Sequence, residues 1–166
     1  MKKYLLLFFF ASTCLISCSS ENTSTYYLIR HAEKDRSNEL NTNPSLNFEG
    51  ENRAQNWANY FENKHLDAVY STKYFRTVET ATPTAMTQEL KIKYYDPRNM
   101  YDSIFQAETK GKTVLVVGHS NTTPIFANKI LGEEKYEDMD DNDNSSIYIV
   151  TVSNDKITSK IEKVKI

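Results

Sequence analysis

The sequence predicts an α/β fold: a three-layer α/β/α sandwich with a mainly parallel sheet, helices on both faces and a C-terminal β-hairpin. Two continuous apolar runs, residues 26–29 and 114–117, are typical of parallel strands that are buried on both faces. Between them, segments with a helical spacing of apolar residues alternate with short apolar runs. Two runs near the end of the chain, 146–152 and 156–164, are joined at Asn154-Asp155 and have the pattern of a hairpin.

After the opening strand, the first half of the chain contains a loop, two helices and two strands. Residues 35–45 are rich in asparagine and are predicted to form a loop at the rim of the ligand crevice. Asn47 is the candidate N-cap of a helix in which Gly50 is expected to weaken the first turn. The apolar face of this helix is formed by Phe48, Ala54, Trp57, Ala58 and Phe61. A strand at 67–70, a helix at 74–90 that Pro83 is expected to kink or shift, and a strand at 91–95 follow.

The second half adds two helices, the second long apolar strand and the hairpin. Residues 100–108 are predicted to be helical, and residues 113–117 form the clearest strand of the chain. The helix after it contains Pro124 and Phe126 and ends at Gly132. The acidic, asparagine-rich segment 133–144 is interpreted as a solvated connection, since it lacks the fixed glycine and the terminal glutamate of a calcium loop.

The N-terminus has the pattern of a secretory signal. Lys2 and Lys3 precede an apolar stretch that is too short to span a membrane, and Leu-Ile-Ser leads to Cys18. This arrangement resembles the bacterial lipobox, which implies a signal peptide at 1–17, a lipidated Cys18 with a tether at 18–25, and a folded domain at 26–166. The alternative is an ordinary cysteine near a conventional cleavage site.

Export and composition set the expected surroundings and partners. Ser19 and Ser20 after the cysteine suggest an outer-membrane lipoprotein that faces the periplasm, so the membrane is a predicted partner through Cys18. The only other cysteine is Cys14, within the predicted signal, which excludes a disulfide framework and cysteine-based zinc sites. With 20 basic and 22 acidic residues and a net charge of −2, the chain has no basic surplus for binding nucleic acid.

Cationic side chains follow both long apolar runs and begin a predicted helix between them. Arg30-His31 follows the first run and Gly118-His119 the second, while Arg76 lies near the start of the helix. Because ligands bind at the carboxyl ends of parallel strands, both imidazoles are expected to reach one crevice. Taken singly, each of these cationic side chains has a simpler explanation; Arg76, for example, could form a surface ion pair with Glu79. Together they predict a site for a phosphoryl group, with one imidazole as the nucleophile.

Three motifs in this order resemble those of the histidine phosphatase superfamily, in the branch that includes phosphoglycerate mutases and small phosphohistidine phosphatases. They are Arg30-His31, Arg76-Thr77 followed by Glu79-Thr80-Ala81, and Gly118-His119. The likeness extends from Tyr26 to about Leu131. It implies a phosphoglycerate mutase-like fold and a metal-independent phosphatase without a cofactor. The implied substrate is a small phosphorylated compound, either a phosphate monoester or phosphohistidine.

The resemblance also implies a role for each residue of the crevice. His31 is expected to attack phosphorus and to form a phosphohistidine that water then hydrolyses. Arg30 and Arg76 are expected to bind phosphate oxygens through their planar guanidinium groups. A protonated His119 would add a third positive charge, and the Ser120 amide at the start of the next helix would donate a further hydrogen bond.

Two carboxylates are candidates for the acid that protonates the leaving oxygen. Asp96, in Tyr94-Tyr95-Asp96-Pro97, lies where many relatives carry a glutamate or an aspartate, although this sequence departs from the usual pattern there. Glu33, two residues after His31, is the alternative acid, and it could instead hold an arginine. Some small relatives have no dedicated acid.

Two other functions fit the same residues. A lipid-anchored module could bind a phosphorylated ligand without turnover, and a phosphomutase would share the nucleophile and the arginines. The stretch between Arg76 and His119 is short, which argues against a mutase, because mutase relatives carry a long insertion there. Substrate specificity is expected from segments 35–45, 96–101 and 133–144, while Tyr74, Tyr95 and Tyr101 are more simply packing residues than a stacking surface.

Overall fold

The computed structural model describes residues 23–154 and 156–164. The predicted signal peptide at 1–17, Cys18 with most of the predicted tether, Asp155 in the hairpin turn and the last two residues lie outside this part of the chain. Within the described part, no helix is long and apolar enough to cross a membrane.

Six strands form one mixed sheet. They are β1 (Thr23–Arg30), β2 (Ala68–Ser71), β3 (Ile92–Tyr94), β4 (Thr113–Gly118), β5 (Ser146–Ser153) and β6 (Lys156–Lys163). Their order is β3-β2-β4-β1-β5-β6; the first four in this order are parallel, and β5 is antiparallel to both of its neighbours. This confirms the predicted mainly parallel sheet with a C-terminal hairpin. Because β1 and β4 are adjacent and parallel, their carboxyl ends lie side by side.

Four helices cover the two faces of the sheet. They are α1 (Phe48–Phe61), α2 (Phe75–Thr87), α3 (Ser103–Thr109) and α4 (Thr122–Leu131). Successive side chains along a strand point to opposite faces, so each strand of the sheet's centre contributes to two cores. Val117 of β4 belongs to one core with Trp57 of α1 and Ala81 of α2. The opposite core contains Phe105 of α3 and Phe126 of α4, which confirms the three predicted layers.

Three elements differ in detail from the prediction. β1 starts at Thr23, inside the segment predicted as tether, because its first three residues pair with the end of β5. α2 begins at Phe75, one residue after the predicted start, and ends at Thr87 instead of residue 90. Pro83 lies inside the helix and does not end it. α3 starts at Ser103 instead of residue 100, since the Asp102 side chain accepts a hydrogen bond from the Phe105 amide and caps the helix there.

The first turn of α1 packs against the segment that follows β1. Asn47 is the N-cap, as predicted, and its side chain accepts a hydrogen bond from the Gly50 amide at 2.9 Å. Phe48, predicted on the apolar face, is instead 78 % exposed. Gly50 has a function in packing, because a Cβ at this position would overlap the carbonyl oxygen of Glu33. The glycine therefore allows α1 to approach the residues just after His31.

Candidate active site

The structure brings the two predicted histidines together at the carboxyl ends of β1 and β4. Arg30 at the end of β1 lies opposite Gly118 at the end of β4, and the His31 amide donates a hydrogen bond to the Gly118 carbonyl at 2.9 Å. The His31 and His119 rings follow directly, with their centroids 5.5 Å apart and their planes at 68°. Sheet pairing between residues far apart in the chain thus positions both imidazoles.

His31 is buried, and its surroundings define which ring nitrogen is free. Its Nδ1 lies 2.7 Å from the carbonyl oxygen of Ala32. A carbonyl can only accept a hydrogen bond, so Nδ1 carries the proton and Nε2 keeps its lone pair. Burial lowers the pKa of His31 to about 3, and the nearby Arg30 and Arg76 act in the same direction. The ring is therefore neutral near pH 7, with Nε2 available as a nucleophile.

His119 is also neutral, with its ring fixed by contacts on both nitrogens. The Arg76 guanidinium donates from Nη2 to Nδ1 at 3.4 Å, so the proton is on Nε2, which donates to the Thr72 hydroxyl at 3.1 Å. Thr72 in turn lies 2.8 Å from the Thr77 hydroxyl. Burial and then Arg76 and Arg30 lower the pKa of His119 to about 4. The positive charge predicted for His119 would therefore require an added anion nearby.

The two predicted arginines point into the same region but differ in their partners. Arg30 donates from Nη1 to the Asp140 carbonyl at 3.0 Å and from Nη2 to the Asp141 carboxylate at 2.7 Å. Arg76 lies against the Tyr74 ring, with its guanidinium carbon 4.5 Å from the ring centroid. In the described part of the chain, five buried polar side-chain atoms have no hydrogen-bond partner, and three of them are Arg30 Nε, Arg76 Nε and Arg76 Nη1. Buried cationic N–H groups without partners favour the binding of an anion.

Together these side chains line a cavity of about 350 Å³, here called the cup. Its lining includes Arg30, His31, Arg76, His119 and Ser120, with Lys34, Tyr74, Pro97 and Asp141 at its edges. Ser120 lies just before α4 and its Asn121 N-cap, so the N-terminus of this helix adjoins the cup. Three basic side chains face a single carboxylate, which makes the cup electropositive. Among the residues that the structure describes, no three His, Cys, Asp or Glu side chains converge as a metal-binding group.

Segment 133–144 contributes to this site, which its sequence did not predict. Asn144 is buried and donates a hydrogen bond to the His31 carbonyl at 2.7 Å. Asp141 bridges Arg30 and Arg36, at 2.7 and 2.9 Å. The segment predicted as a solvated connection therefore holds both residues of the Arg30-His31 motif. Its density of aspartate and asparagine was the available signal, since these side chains form tight turns such as that between Asp140 and the Asn142 amide.

Neither candidate acid is free in the structure. Asp96 is bound by Arg98 at 2.8 Å, and these hydrogen bonds lower the pKa of Asp96 to about 2. Its carboxylate lies in a cavity next to the cup and does not line the cup itself. Glu33 accepts hydrogen bonds from Arg53 on both carboxylate oxygens, at 2.7 and 2.8 Å. Each carboxylate is thus hydrogen-bonded to an arginine that does not line the cup.

Comparisons with known proteins find a sequence match over part of the chain and a match in fold over most of it. Residues 26–97 match the sequence model of the histidine phosphatase superfamily (branch 1). No curated protein matches the chain. Many solved structures do match it in fold.

Three of these solved structures illustrate the likeness. A protein described as phosphohistidine phosphatase SixA from Agrobacterium tumefaciens has a TM-score of 0.64 at 19 % identity, covering 85 % of this chain and 99 % of its own. The mycobacterial glucosyl-3-phosphoglycerate phosphatase has a TM-score of 0.64 at 11 % identity, covering 85 % and 98 %. A phosphoglycerate mutase from Bacillus anthracis has a TM-score of 0.62 at 17 % identity, covering 87 % and 94 %. This chain therefore shares its fold with these three structures, and residues 26–97 resemble the histidine phosphatase superfamily in sequence.

Proposed function

We propose that this protein is a phosphatase that transfers a phosphoryl group from a phosphate monoester, or from phosphohistidine, to Nε2 of His31 without a metal ion. The observation that carries the proposal is the hydrogen bond from His31 Nδ1 to the Ala32 carbonyl, which leaves Nε2 unprotonated inside the cup. Arg76, which lines the same cavity, has two buried N–H groups without a partner. A nucleophile with a free lone pair thus faces donors suited to phosphate oxygens.

The reaction follows from these positions. The Nε2 lone pair of His31 forms a bond to phosphorus while the bond from phosphorus to the leaving atom breaks, and the leaving group takes that electron pair. Arg76 and the N-terminus of α4 stabilise the negative charge on the phosphoryl oxygens. As the dianion enters, it offsets the positive field that lowers the pKa of His119, so His119 can take up a proton and add positive charge. The oxygen of a water molecule then forms a bond to phosphorus while the bond from nitrogen to phosphorus breaks. The electron pair of that bond returns to Nε2 of His31, and dihydrogen phosphate leaves with both hydrogens of the water.

The nitrogen through which Arg30 binds phosphate decides whether segment 140–143 must move. Its terminal nitrogens are held by segment 140–143, and only Nε lacks a partner. A phosphate that binds Arg30 through both terminal nitrogens, as the resemblance implies, must displace the Asp141 carboxylate. Binding through Nε requires no such change, so Arg30 contributes its charge in either case.

A defined experiment tests this function. The purified full-length protein is incubated with a phosphate monoester in the presence of EDTA, and the reaction is stopped rapidly in alkali. We expect release of phosphate and a phosphoryl label that survives alkali and is lost in acid. His31→Ala is expected to remove both. Tight binding of inorganic phosphate without turnover or label would instead indicate a binding module.

We also propose that the protein is exported and anchored to a membrane through a lipid on Cys18. The support is the sequence pattern alone: Lys2, Lys3, the apolar stretch and Leu-Ile-Ser-Cys. Mass spectrometry of the N-terminal peptide is expected to show cleavage before Cys18 and an added lipid mass. Cys18→Ser is expected to shift the protein from the membrane fraction to the unanchored fraction; retention in the membrane would contradict the anchor.

A further inference from the structure

A second cavity adjoins the cup on the side of β2, β3 and α2. It has a volume of about 860 Å³, and its walls include Tyr74, Tyr94, Pro97, Lys73 and Asp96. Tyr74 and Pro97 line both this cavity and the cup, so the two spaces adjoin each other. We call this space the tyrosine cavity. A molecule whose phosphoryl group lies in the cup can therefore extend into it.

Two aromatic rings in the tyrosine cavity are accessible. Tyr74 is 41 % exposed and Tyr94 is 53 % exposed. Tyr95 differs, because its ring packs edge-to-face on Phe126 in the core, with centroids 5.5 Å apart. Tyr74 is fixed in place by the His119 ring, at 5.1 Å between centroids, and by the Arg76 guanidinium beneath it. The cavity thus offers two ring surfaces, and one of them is rigidly tied to the cup.

The geometry of phosphoryl transfer is compatible with departure of the leaving group into this cavity. In phosphoryl transfer the attacking and leaving atoms lie roughly in line with phosphorus. His31 lines the cup and a further cavity beside Glu33 and Asn47, but it does not line the tyrosine cavity. The leaving group must depart away from the His31 ring. The tyrosine cavity adjoins the cup and is not lined by His31, so it is a space into which the leaving group can depart.

The state of the nearby carboxylates indicates which leaving groups suit the site. Asp96, Glu33 and Asp141 are each bound to an arginine, at 2.8, 2.7 and 2.7 Å respectively. A carboxylate held in this way is a poor proton donor. An alkoxide needs a proton in order to leave, whereas a phenolate leaves with less help. Both the exposed tyrosine rings of the cavity and the state of the nearby carboxylates therefore favour an aromatic leaving group.

We propose that the tyrosine cavity binds the ring of an aryl phosphate whose phosphoryl group lies in the cup, a substrate class that rests on the proposed phosphatase function. Tyr94 supplies a ring that lines only this cavity, and Tyr74 supplies one that lines both this cavity and the cup. Lys73, with its ammonium 5.8 Å from the centroid of Tyr94, adds a cation at the rim that suits an acidic substrate.

The binding test compares two phosphonates of similar size that differ in their ring. Benzylphosphonate carries a planar ring at the same reach as an aryl ester, and cyclohexylmethylphosphonate carries a puckered one. Calorimetric titration of the full-length protein is expected to show about three- to tenfold tighter binding of benzylphosphonate, the range expected for one aromatic contact. Because this readout does not need turnover, it stands apart from the test of the phosphatase function.

Tyr94→Leu is the diagnostic variant, and Phe75→Leu is its matched control. Leucine at residue 94 removes the ring but suits a strand, and it is expected to bring the ratio of the two dissociation constants close to one. Phe75 is a neighbouring aromatic residue that is 58 % exposed and lines neither cavity, so Phe75→Leu should leave the ratio unchanged. An unchanged affinity for inorganic phosphate in both variants shows that the cup is intact.

Turnover distinguishes the classes of leaving group. We expect kcat/KM for phosphotyrosine to exceed that for phosphoserine by about tenfold or more, and Tyr94→Leu to lower only the value for phosphotyrosine. Equal affinities for the two phosphonates, or a ratio that Tyr94→Leu does not change, would overturn the proposal. Hydrolysis of phosphoimidazole but not of phosphotyrosine would also overturn the assignment to aryl esters. Absence of any hydrolysis with the ratio of affinities preserved would remove the phosphatase function and leave the aromatic site.

Discussion

The two arginines of the cup are held in opposite ways. Arg30, at the end of β1, has its terminal nitrogens hydrogen-bonded to segment 140–143, and its side chain is only 2 % exposed. Arg76, in the first turn of α2, lies against Tyr74 and His119 and has two buried nitrogens without a partner. The protein satisfies both terminal nitrogens of Arg30, whereas two of the three nitrogens of the Arg76 guanidinium remain without a partner.

This difference separates a structural role from a binding role within one site. Arg30 joins β1 to the acidic segment that also holds the His31 carbonyl through Asn144, so its contacts contribute to the position of the nucleophile. Arg76 has no such partners, and its unpaired N–H groups cost free energy until an anion binds. We therefore expect substitutions of the two arginines to affect different quantities.

The largest effect is expected from loss of the unpaired arginine. Arg76→Ala removes donors to the phosphoryl oxygens and should lower kcat by about 10²- to 10³-fold. Arg76→Lys should recover part of this loss, because it restores the charge without the planar pair of donors. Steady-state kinetics on an aryl phosphate measure both variants. A loss below about threefold in Arg76→Ala would contradict its assignment as the main phosphate-binding arginine.

Substitution of Arg30 is expected to lower the stability of the folded protein. Arg30→Ala removes the donor to the Asp140 carbonyl and leaves the Asp141 carboxylate with Arg36 alone, and it should lower the free energy of unfolding by about 1–3 kcal/mol. Arg76→Ala should change it by less, since that side chain has few partners to lose. Urea denaturation of both variants makes the comparison. Equal destabilisation by the two substitutions would remove the distinction between them.

The buried nucleophile predicts a pH dependence of stability. The pKa of His31 is about 3 in the folded protein and 6.5 when the ring is unhindered, so the unfolded chain binds a proton first as pH falls. The contribution of the neutral His31 ring to the free energy of unfolding is therefore fully present above pH 6.5. It decreases as the pH falls from 6.5 towards 3. Between pH 7 and pH 5 this amounts to about 2 kcal/mol.

Denaturation at both pH values tests this figure. Between pH 7 and pH 5, the free energy of unfolding of the His31→Asn variant should fall by about 2 kcal/mol less than that of the unmodified protein. His65→Asn, at a side chain that is 84 % exposed, controls for the substitution of a histidine. Identical losses in the unmodified protein and in His31→Asn would show that the ring is protonated in the folded state at pH 5.

The smallest effect concerns the carboxylate on Arg30. Asp141→Asn weakens the contact that competes with phosphate for Arg30, and it should tighten the binding of inorganic phosphate by about two- to fivefold. Asp138→Asn, at an exposed position in the same segment, makes the same change of charge and controls for the general potential. Calorimetric titration compares the two. Equal tightening in both variants would mean that Asp141 acts only through long-range charge.

Much of the fold was predictable because its signals are local. The apolar runs of β1 and β4 and the helical spacing in α1, with its Asn47 cap, are properties of neighbouring residues. The errors occur where tertiary contacts extend or shorten an element. β1 gains its first three residues by pairing with β5, and Phe48 is exposed although it fits the helical pattern of α1.

The sequence by itself determined which residues reach the cup: Arg30 and His31, Arg76, and His119 all follow a strand or open a helix at the same edge of a parallel sheet. Only the tertiary structure decided how each is held. Asp141 lies 111 positions after Arg30, and Asn144 lies 113 positions after His31. The partners that bind Glu33 and Asp96, and the free nitrogen of His31, were likewise invisible in the sequence. Hydrogen bonds depend on distances of a few tenths of an ångström, and only the packed chain defines those distances.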